Sequence, residues 1–149
     1  MKSIKNIAAS CLVAGSLLSA SGALAQDHPS QADKALIILT SSSVQTQGMA
    51  MVLGNAIQAK GVTVDVLLCD TAGDLALTTT TSQALKPKNV TPVQLMGMLQ
   101  KNGGNVSVCA LYLPNSEHTV QDLREGVNVA TPPQMAEMMT SEQVRVYSF

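Results

Sequence analysis

Aromatic side chains and positive charge are both scarce in this chain. Among 149 residues there is no Trp, one Phe and two Tyr, and nine Lys and Arg stand against ten Asp and Glu. Proteins that bind single-stranded nucleic acid stack its bases on aromatic rings, and they neutralise its phosphates with an excess of basic residues. The composition therefore excludes nucleic acid as a partner, and it argues equally against a flavin held between aromatic rings.

Motifs that bind phosphate or metal are absent as well. The chain contains no G-x-G-x-x-G sequence and no Gly-Lys pair followed by Ser or Thr, which are the loops that cradle nucleotide phosphates. The run from Thr40 to Ser43 occupies the position of such a loop, but it is better interpreted as a helix cap. Two histidines are too few for a His-rich metal site. We therefore expect no cofactor and no metal.

The N-terminal segment has the three parts of a secretory signal peptide. Lys2 and Lys5 precede an apolar stretch over residues 7–18, and Ala23-Leu24-Ala25 supplies a small-x-small cleavage site. As a helix the apolar stretch would span roughly 18 Å, which is less than the ~30 Å hydrocarbon core of a membrane. We therefore expect a cleaved signal rather than a retained membrane anchor.

The predicted cleavage divides the chain into a signal peptide over residues 1–25, a mobile leader over 26–33 and one domain over 34–149. The protein is then periplasmic or secreted, with no membrane association after cleavage. Cleavage removes Cys11 and leaves Cys69 and Cys109. Because the destination is oxidising, these two cysteines are either a disulfide or two thiols kept apart.

Beyond the leader, apolar runs of strand length alternate with helical patterns. Residues 35–39 are continuously apolar, as in a strand buried on both faces. Thr91-Pro92 and Thr131-Pro132 each begin a capping box with proline at the first helical position. The repeated strand–helix–strand order predicts an α/β fold, a three-layer α/β/α sandwich with a mostly parallel sheet of about five strands.

The first predicted helix has two faces without charge. Apolar residues at helical spacing form one stripe, which we expect to face the core: Met49, Val52, Leu53, Ala56 and Ile57. The opposite face carries only small or apolar residues: Ala50, Met51, Gly54 and Ala59. Since a solvent face would normally carry Lys and Glu, we expect this second face to contact another element or another subunit.

Two cysteines end two of the predicted strands. Cys109 closes the third strand, and His118 and Arg124 follow it within one loop and one short helix. A nearby cation lowers the pKa of a thiol, so these two residues are candidates for tuning Cys109. Cys69 ends the second strand and would reach Cys109 only if the two strands are neighbours. The sequence does not decide the strand order, and burial as a small apolar side chain is the competing interpretation for each cysteine.

A series of elements completes the pattern of the domain: the strand Lys34–Ile38, a helix ending near Gly61, the strand Val64–Leu68, the helix Thr91–Leu99, Gly103, a strand ending in Cys109, the segment Asp122–Val129, the helix Pro132–Met139 and the closing Val144–Phe149. With its elements in this order, the domain resembles the DsrE/DsrF-like (YchN-type) sulfur-relay family. The resemblance implies a parallel α/β/α sandwich that assembles as a homotrimer or hexamer. It also implies that Cys109 accepts sulfur as a persulfide and hands it on, with a sulfur donor or acceptor protein as partner.

The chain departs from the YchN-type pattern after this cysteine. Those members place a second cysteine and an Arg-Gly shortly after the first, whereas residues 110–116 contain neither. Two other functions therefore stay open. One is a non-catalytic oligomeric binding or assembly protein of the same fold, and the other is a soft-metal binder that would hold Cu(I) through Cys69, Cys109 and methionines.

Overall fold

Five strands form a single sheet in the computed structural model, which describes residues 32–149. In chain order they are β1 (Lys34–Leu39), β2 (Thr63–Leu68), β3 (Asn105–Val108), β4 (Val127–Val129) and β5 (Val144–Ser148). Across the sheet the order is β4-β3-β2-β1-β5, and every neighbouring pair is parallel. The predicted sheet is confirmed. The predicted signal peptide and most of the predicted leader lie outside the described residues.

Helices cover both faces of the sheet. They are α1 (Val44–Gln58), α2 (Pro92–Lys101) and α3 (Pro132–Thr140). Residues of α1 and α2 belong to the larger apolar core on one face, whereas Met135 and Met138 of α3 pack against a smaller cluster on the other face. The three-layer α/β/α architecture is therefore confirmed. None of the helices in residues 32–149 has the length and apolar character needed to cross a membrane.

The helix starts follow from the capping residues that the sequence contains. The Thr91 hydroxyl accepts a hydrogen bond from the Gln94 backbone N–H at 3.1 Å, and Gln94 Oε1 accepts one from the Thr91 N–H at 2.9 Å. At the start of α3 the Thr131 N–H donates to Gln134 Oε1 at 3.2 Å. These side chains satisfy backbone groups that the first helical turn leaves unpaired.

The face that α1 turns to the core differs from the predicted one. The residues expected in the core are largely exposed: Met49 is 56%, Val52 51% and Leu53 40% exposed. The buried residues come mainly from the opposite face: Gln47, Gly48, Ala50, Met51 and Gly54. The predicted core stripe is therefore wrong.

The reason lies in side-chain size. A Cβ added to Gly54 would lie 2.9 Å from Cδ1 of Leu99 and 3.1 Å from Cδ1 of Ile37. The small residues of α1 therefore let the helix approach α2 and the sheet closely, and larger side chains on that face would hold it away. Apolar periodicity predicts that a helix has an apolar face. When a helix has two uncharged faces, the periodicity does not show which of them has side chains small enough to pack closely against the core.

Candidate functional site

The two cysteines lie side by side at the carboxyl edge of the sheet. β2 and β3 are neighbours with Leu68 opposite Val108, so the next residue of each chain segment is a cysteine. The Cys109 N–H donates to the Leu68 carbonyl at 2.8 Å, which extends the ladder between the two strands by one residue. Adjacent strands lie about 4.8 Å apart, within the Cα separation that a disulfide can bridge. Both thiols are free, and the two side chains are close enough for Cys109 to raise the pKa of Cys69.

The Cys69 thiol is held in its protonated form. The pKa of this thiol is raised from 9.0 to about 12, mainly by partial burial, and the neighbouring Cys109 and the charge of Asp70 act in the same direction. Burial has this effect because water stabilises a thiolate better than a protein interior does. At neutral pH Cys69 therefore keeps its proton and lies beside Cys109 as a neutral thiol.

The cysteine pair opens into a cleft of about 490 Å³. One wall is formed by the segment after β2 and the other by the loop after β3. Besides the cysteines, the lining residues are Asp70, Thr71 and Asp74 from the first segment and Leu111, Tyr112, Asn115 and Ser116 from the second. The volume falls in the range of small-ligand sites, so the cleft can admit a small molecule or a side chain of another protein.

Asp70 turns the chain sharply at the edge of the cleft. Its φ of 49° lies in the left-handed region, which Asp tolerates better than most non-glycine residues. The turn begins a 3₁₀ helix over Asp70–Ala76, and the Ala72 N–H donates back to the Cys69 carbonyl at 3.1 Å. Cys69 is thus fixed on both sides, by the sheet ladder before it and by this helical turn after it.

Tyr112 forms the opposite wall through its contact with Gly73 and Asp74. Its hydroxyl donates a hydrogen bond to Asp74 Oδ1 at 2.6 Å. Burial raises the pKa of this hydroxyl, and the hydrogen bond and the charge of Asp74 raise it further, so the phenol stays a neutral donor. The ring lies against Gly73, where an added Cβ would be 2.8 Å from the ring Cγ. The ring of Tyr112 fits there because Gly73 has no side chain.

The charge at the cleft is acidic. Asp70 and Asp74 belong to the lining, and no Lys or Arg is among the described residues that line it. Carboxylates at the mouth of a cleft disfavour the approach of anions and leave neutral ligands unaffected.

The structure places His118 and Arg124, the two predicted tuning residues, outside the cleft lining. Arg124 donates to backbone carbonyls instead, from Nε to Leu75 at 3.1 Å and from Nη2 to Thr80 at 2.6 Å. The His118 N–H donates to Ser116 Oγ at 3.2 Å. Of the four predicted site residues, the structure therefore brings Cys69 and Cys109 together and does not bring the other two to them.

Sequence reasoning missed the acidic residues and the tyrosine as parts of the site. Asp70 was detectable, since it directly follows a strand that ends at the functional edge of a parallel sheet. Asp74 and Tyr112 were not, because they are 38 positions apart and meet only through the hydrogen bond between their side chains.

The described part of the chain does not bring hard or borderline metal ligands together. No group of three or more His, Cys, Asp or Glu within residues 32–149 is arranged to hold a metal ion. Met135 and Met138 pack against the same apolar cluster as Cys69 and Cys109. The soft-metal alternative thus depends on the two thiols and on thioethers from α3.

Comparisons with known proteins show similarity in structure only. No protein-family model matches the sequence, and no curated protein does. The ychN protein from E. coli superposes with a TM-score of 0.65 at 16% identity, covering 78% of this chain and 99% of that one. MTH1491 from Methanobacterium thermoautotrophicum, a protein of unknown function, gives a TM-score of 0.64 at 13% identity over 78% of this chain and 98% of its own. The chain therefore has the fold of ychN, which is the DsrE/DsrF-like fold.

Proposed function

We propose that this protein is an exported sulfur carrier that accepts sulfane sulfur on Cys109 as a persulfide and passes it on. The observation that carries the proposal is the setting of Cys109. Its thiol follows a rigid strand, opens into a cleft and has a protonated thiol beside it. The DsrE-like fold supports the proposal, and the signal peptide predicted over residues 1–25 assigns the activity to the periplasm or the exterior.

Sulfur transfer onto Cys109 is a thiol displacement reaction. The Cys109 thiolate attacks the outer sulfur of a donor persulfide R–S–SH and forms the new S–S bond. The donor S–S bond breaks, and R–S⁻ leaves with the electron pair and takes a proton, giving Cys109–S–SH and R–SH. The adjacent Cys69 S–H can donate a hydrogen bond to the Cys109 thiolate, and hydrogen bonds to a charged acceptor are among the stronger ones in proteins.

The acidic lining favours one class of donor. A dianion such as thiosulfate must approach between Asp70 and Asp74, which repel it. A persulfide on a carrier whose positive group balances the persulfide charge, or on a partner protein, can present its sulfur without that cost. We therefore propose a thiol-bound persulfide as the donor.

Intact mass spectrometry tests the proposal. The chain is made with Cys11→Ser in every variant, so that Cys69 and Cys109 are the remaining cysteines, and it is treated with cysteamine persulfide, whose ammonium group balances the persulfide charge, or with thiosulfate. We expect one added sulfur atom from the persulfide in the Cys69→Ser variant and little or none from thiosulfate. Because Cys109 is the acceptor, Cys109→Ser is expected to take up no sulfur.

Cys69→Ser is the matched control, since it makes the same chemical change at the neighbouring strand end. Uptake that persists unchanged in Cys109→Ser contradicts the proposal. Absence of uptake in every variant contradicts it as well and favours the non-catalytic assembly protein of the same fold.

We also propose that the chain assembles with copies of itself through the exposed face of α1. Met49 and Val52 of α1 and Met98 of α2 form an apolar surface together with Leu85 and Val90 of the segment before α2. An apolar surface of this kind marks a contact site, because leaving it in water is unfavourable. The cyclic symmetry usual in soluble assemblies allows such a face to pair with a neighbouring copy.

Size-exclusion chromatography with light scattering checks this assembly. We expect the wild type to be oligomeric and Val52→Glu to be mostly monomeric, since a buried unpaired carboxylate opposes association. Met139→Glu is the control, because Met139 is similarly exposed but lies on α3, on the opposite face of the sheet. A monomeric wild type, or an oligomer that Val52→Glu leaves intact, would contradict the assignment of this face.

A further inference from the structure

Cys69 lies where its thiol can bond to that of Cys109. The side chains of Cys69 and Cys109 pack against one cluster of Leu36, Leu67 and Ala130, so they are on the same face of the sheet. Their backbones lie opposite each other, one residue beyond the Leu68–Val108 pair of the ladder, and their side chains are adjacent. Both also line the same cleft. Two thiols in this arrangement can form a bond without rearrangement of the strands that carry them.

The surroundings of Cys69 keep its thiol protonated. The sulfur of Cys69 is partly buried and adjoins Asp70, and both conditions favour its protonated form. A protonated thiol is a poor nucleophile toward molecules in solution. It still reacts with a sulfur held beside it, because a fixed neighbour acts at a very high effective concentration, on the order of 10⁵ M or more for well-oriented groups.

We propose that Cys69 and Cys109 form a dithiol–disulfide pair, in which Cys69 discharges the sulfur held on Cys109 as sulfide. This inference rests on the proposed function for its substrate. It deepens that function, because it makes the protein a sulfide-releasing reductant of persulfides as well as a carrier. The pairing of the two cysteines rests independently on their geometry.

The discharge step involves only the two cysteines and the sulfur that Cys109 holds. Cys69 gives up its thiol proton, and its Sγ attacks the Sγ of the Cys109 persulfide. The Sγ–Sγ bond forms as the bond between Cys109 Sγ and the outer sulfur breaks, and that sulfur leaves with the electron pair and takes up protons as hydrogen sulfide. The two cysteine sulfurs are thereby oxidised to a disulfide, and the sulfane sulfur is reduced to sulfide. A dithiol of an external reductant then exchanges with the disulfide and restores both thiols.

An aromatic disulfide probe tests the pairing without persulfide. Dithiodipyridine, an aromatic disulfide without charge at neutral pH, is added to the full chain carrying Cys11→Ser, and both the released chromophore and the protein mass are measured. The pair predicts that the wild-type site releases two chromophores per chain and retains no adduct, because Cys69 displaces the one bound to Cys109. Cys69→Ser is expected to release one and to retain its adduct. A wild-type site that retains an adduct on each cysteine, or that reacts only once, overturns the inference.

A second measurement follows the sulfur itself. The same variants are loaded with cysteamine persulfide and desalted, and the sulfide they release is trapped with monobromobimane. We expect the wild-type site to release sulfide and to end two hydrogens lighter than the reduced chain, whereas Cys69→Ser keeps its extra sulfur at least ten times longer. Cys69→Ala replaces Cys69→Ser if circular dichroism shows that the serine variant does not fold.

The outcomes separate this inference from the function on which it rests. If Cys109 takes up no sulfur even in Cys69→Ser, the proposed function fails, and the probe experiment alone decides the pairing. If the wild-type site holds its extra sulfur as long as Cys69→Ser does, the discharge fails and the carrier function stands.

Discussion

Gly73→Ala is expected to displace Tyr112 and to lower the free energy of unfolding by about 2–4 kcal/mol, the sum of a typical overpacking cost and a lost hydrogen bond. The new Cβ would contact the ring along one whole edge, including Cγ at 2.8 Å. Since Cγ is the root of the ring and not its flexible end, a rotation about χ2 cannot relieve the clash. The ring has to move as a body, and it then leaves its hydrogen bond to Asp74.

Urea denaturation measures the change in stability, and Gly97→Ala serves as the control. Gly97 lies inside α2, and a Cβ added there meets nothing within 4 Å. Because alanine is the better helix former, Gly97→Ala is expected to stabilise the protein by roughly 0.5–1 kcal/mol. If Gly73→Ala is as stable as the wild type, the ring of Tyr112 is not confined by Gly73 and the described wall of the cleft is wrong.

Leu99→Ala is expected to lower the free energy of unfolding by about 3–5 kcal/mol. Leu99 is fully buried, and its side chain fills the space beside two glycines, Gly54 of α1 and Gly104 at the start of β3. Truncation removes apolar contacts to both and leaves a cavity that neither glycine can fill. The loss is a large part of the 5–15 kcal/mol by which small domains are usually stable.

A double-mutant cycle with Gly54→Ala tests that explanation. Alone, Gly54→Ala crowds Cδ1 of Leu99 at 2.9 Å and is expected to destabilise. In the Leu99→Ala variant the same change partly fills the cavity, so we expect a favourable coupling of about 1 kcal/mol or more. Leu111→Ala is the control for the leucine change, because Leu111 is 70% exposed and should lose less than about 0.5 kcal/mol. Additive effects at positions 54 and 99 would contradict the close packing of α1 on α2.

Much of the fold was predictable because its signals are local. The first strand follows from an apolar run, and its residues Leu36, Ile37 and Leu39 are almost completely buried. The starts of α2 and α3 follow from Thr91 and Thr131, whose partners are three positions along the chain. Capping and periodicity act within one or two turns, so a single sequence contains all the information they need.

The candidate site was predictable only in part. Cys69 and Cys109 were identifiable because each follows a strand of a parallel sheet, where functional groups gather. His118 and Arg124 were predicted because they follow Cys109 closely in the chain. Proximity along the chain does not determine where a side chain points, and Arg124 binds the backbone carbonyls of Leu75 and Thr80. The guanidinium satisfies these carbonyls, and the sequence contains no signal for such a distant backbone partner.

By itself, the sequence determined the order and type of the elements, the α/β class and the position of both cysteines at strand ends. Tertiary structure decided that β2 and β3 are neighbours, which places the two cysteines side by side in one cleft. It also decided which face of α1 is buried and how Tyr112 closes the cleft. Strand order and packing depend on the fit of side chains that are distant in the chain, and that fit exists only once the sheet has assembled.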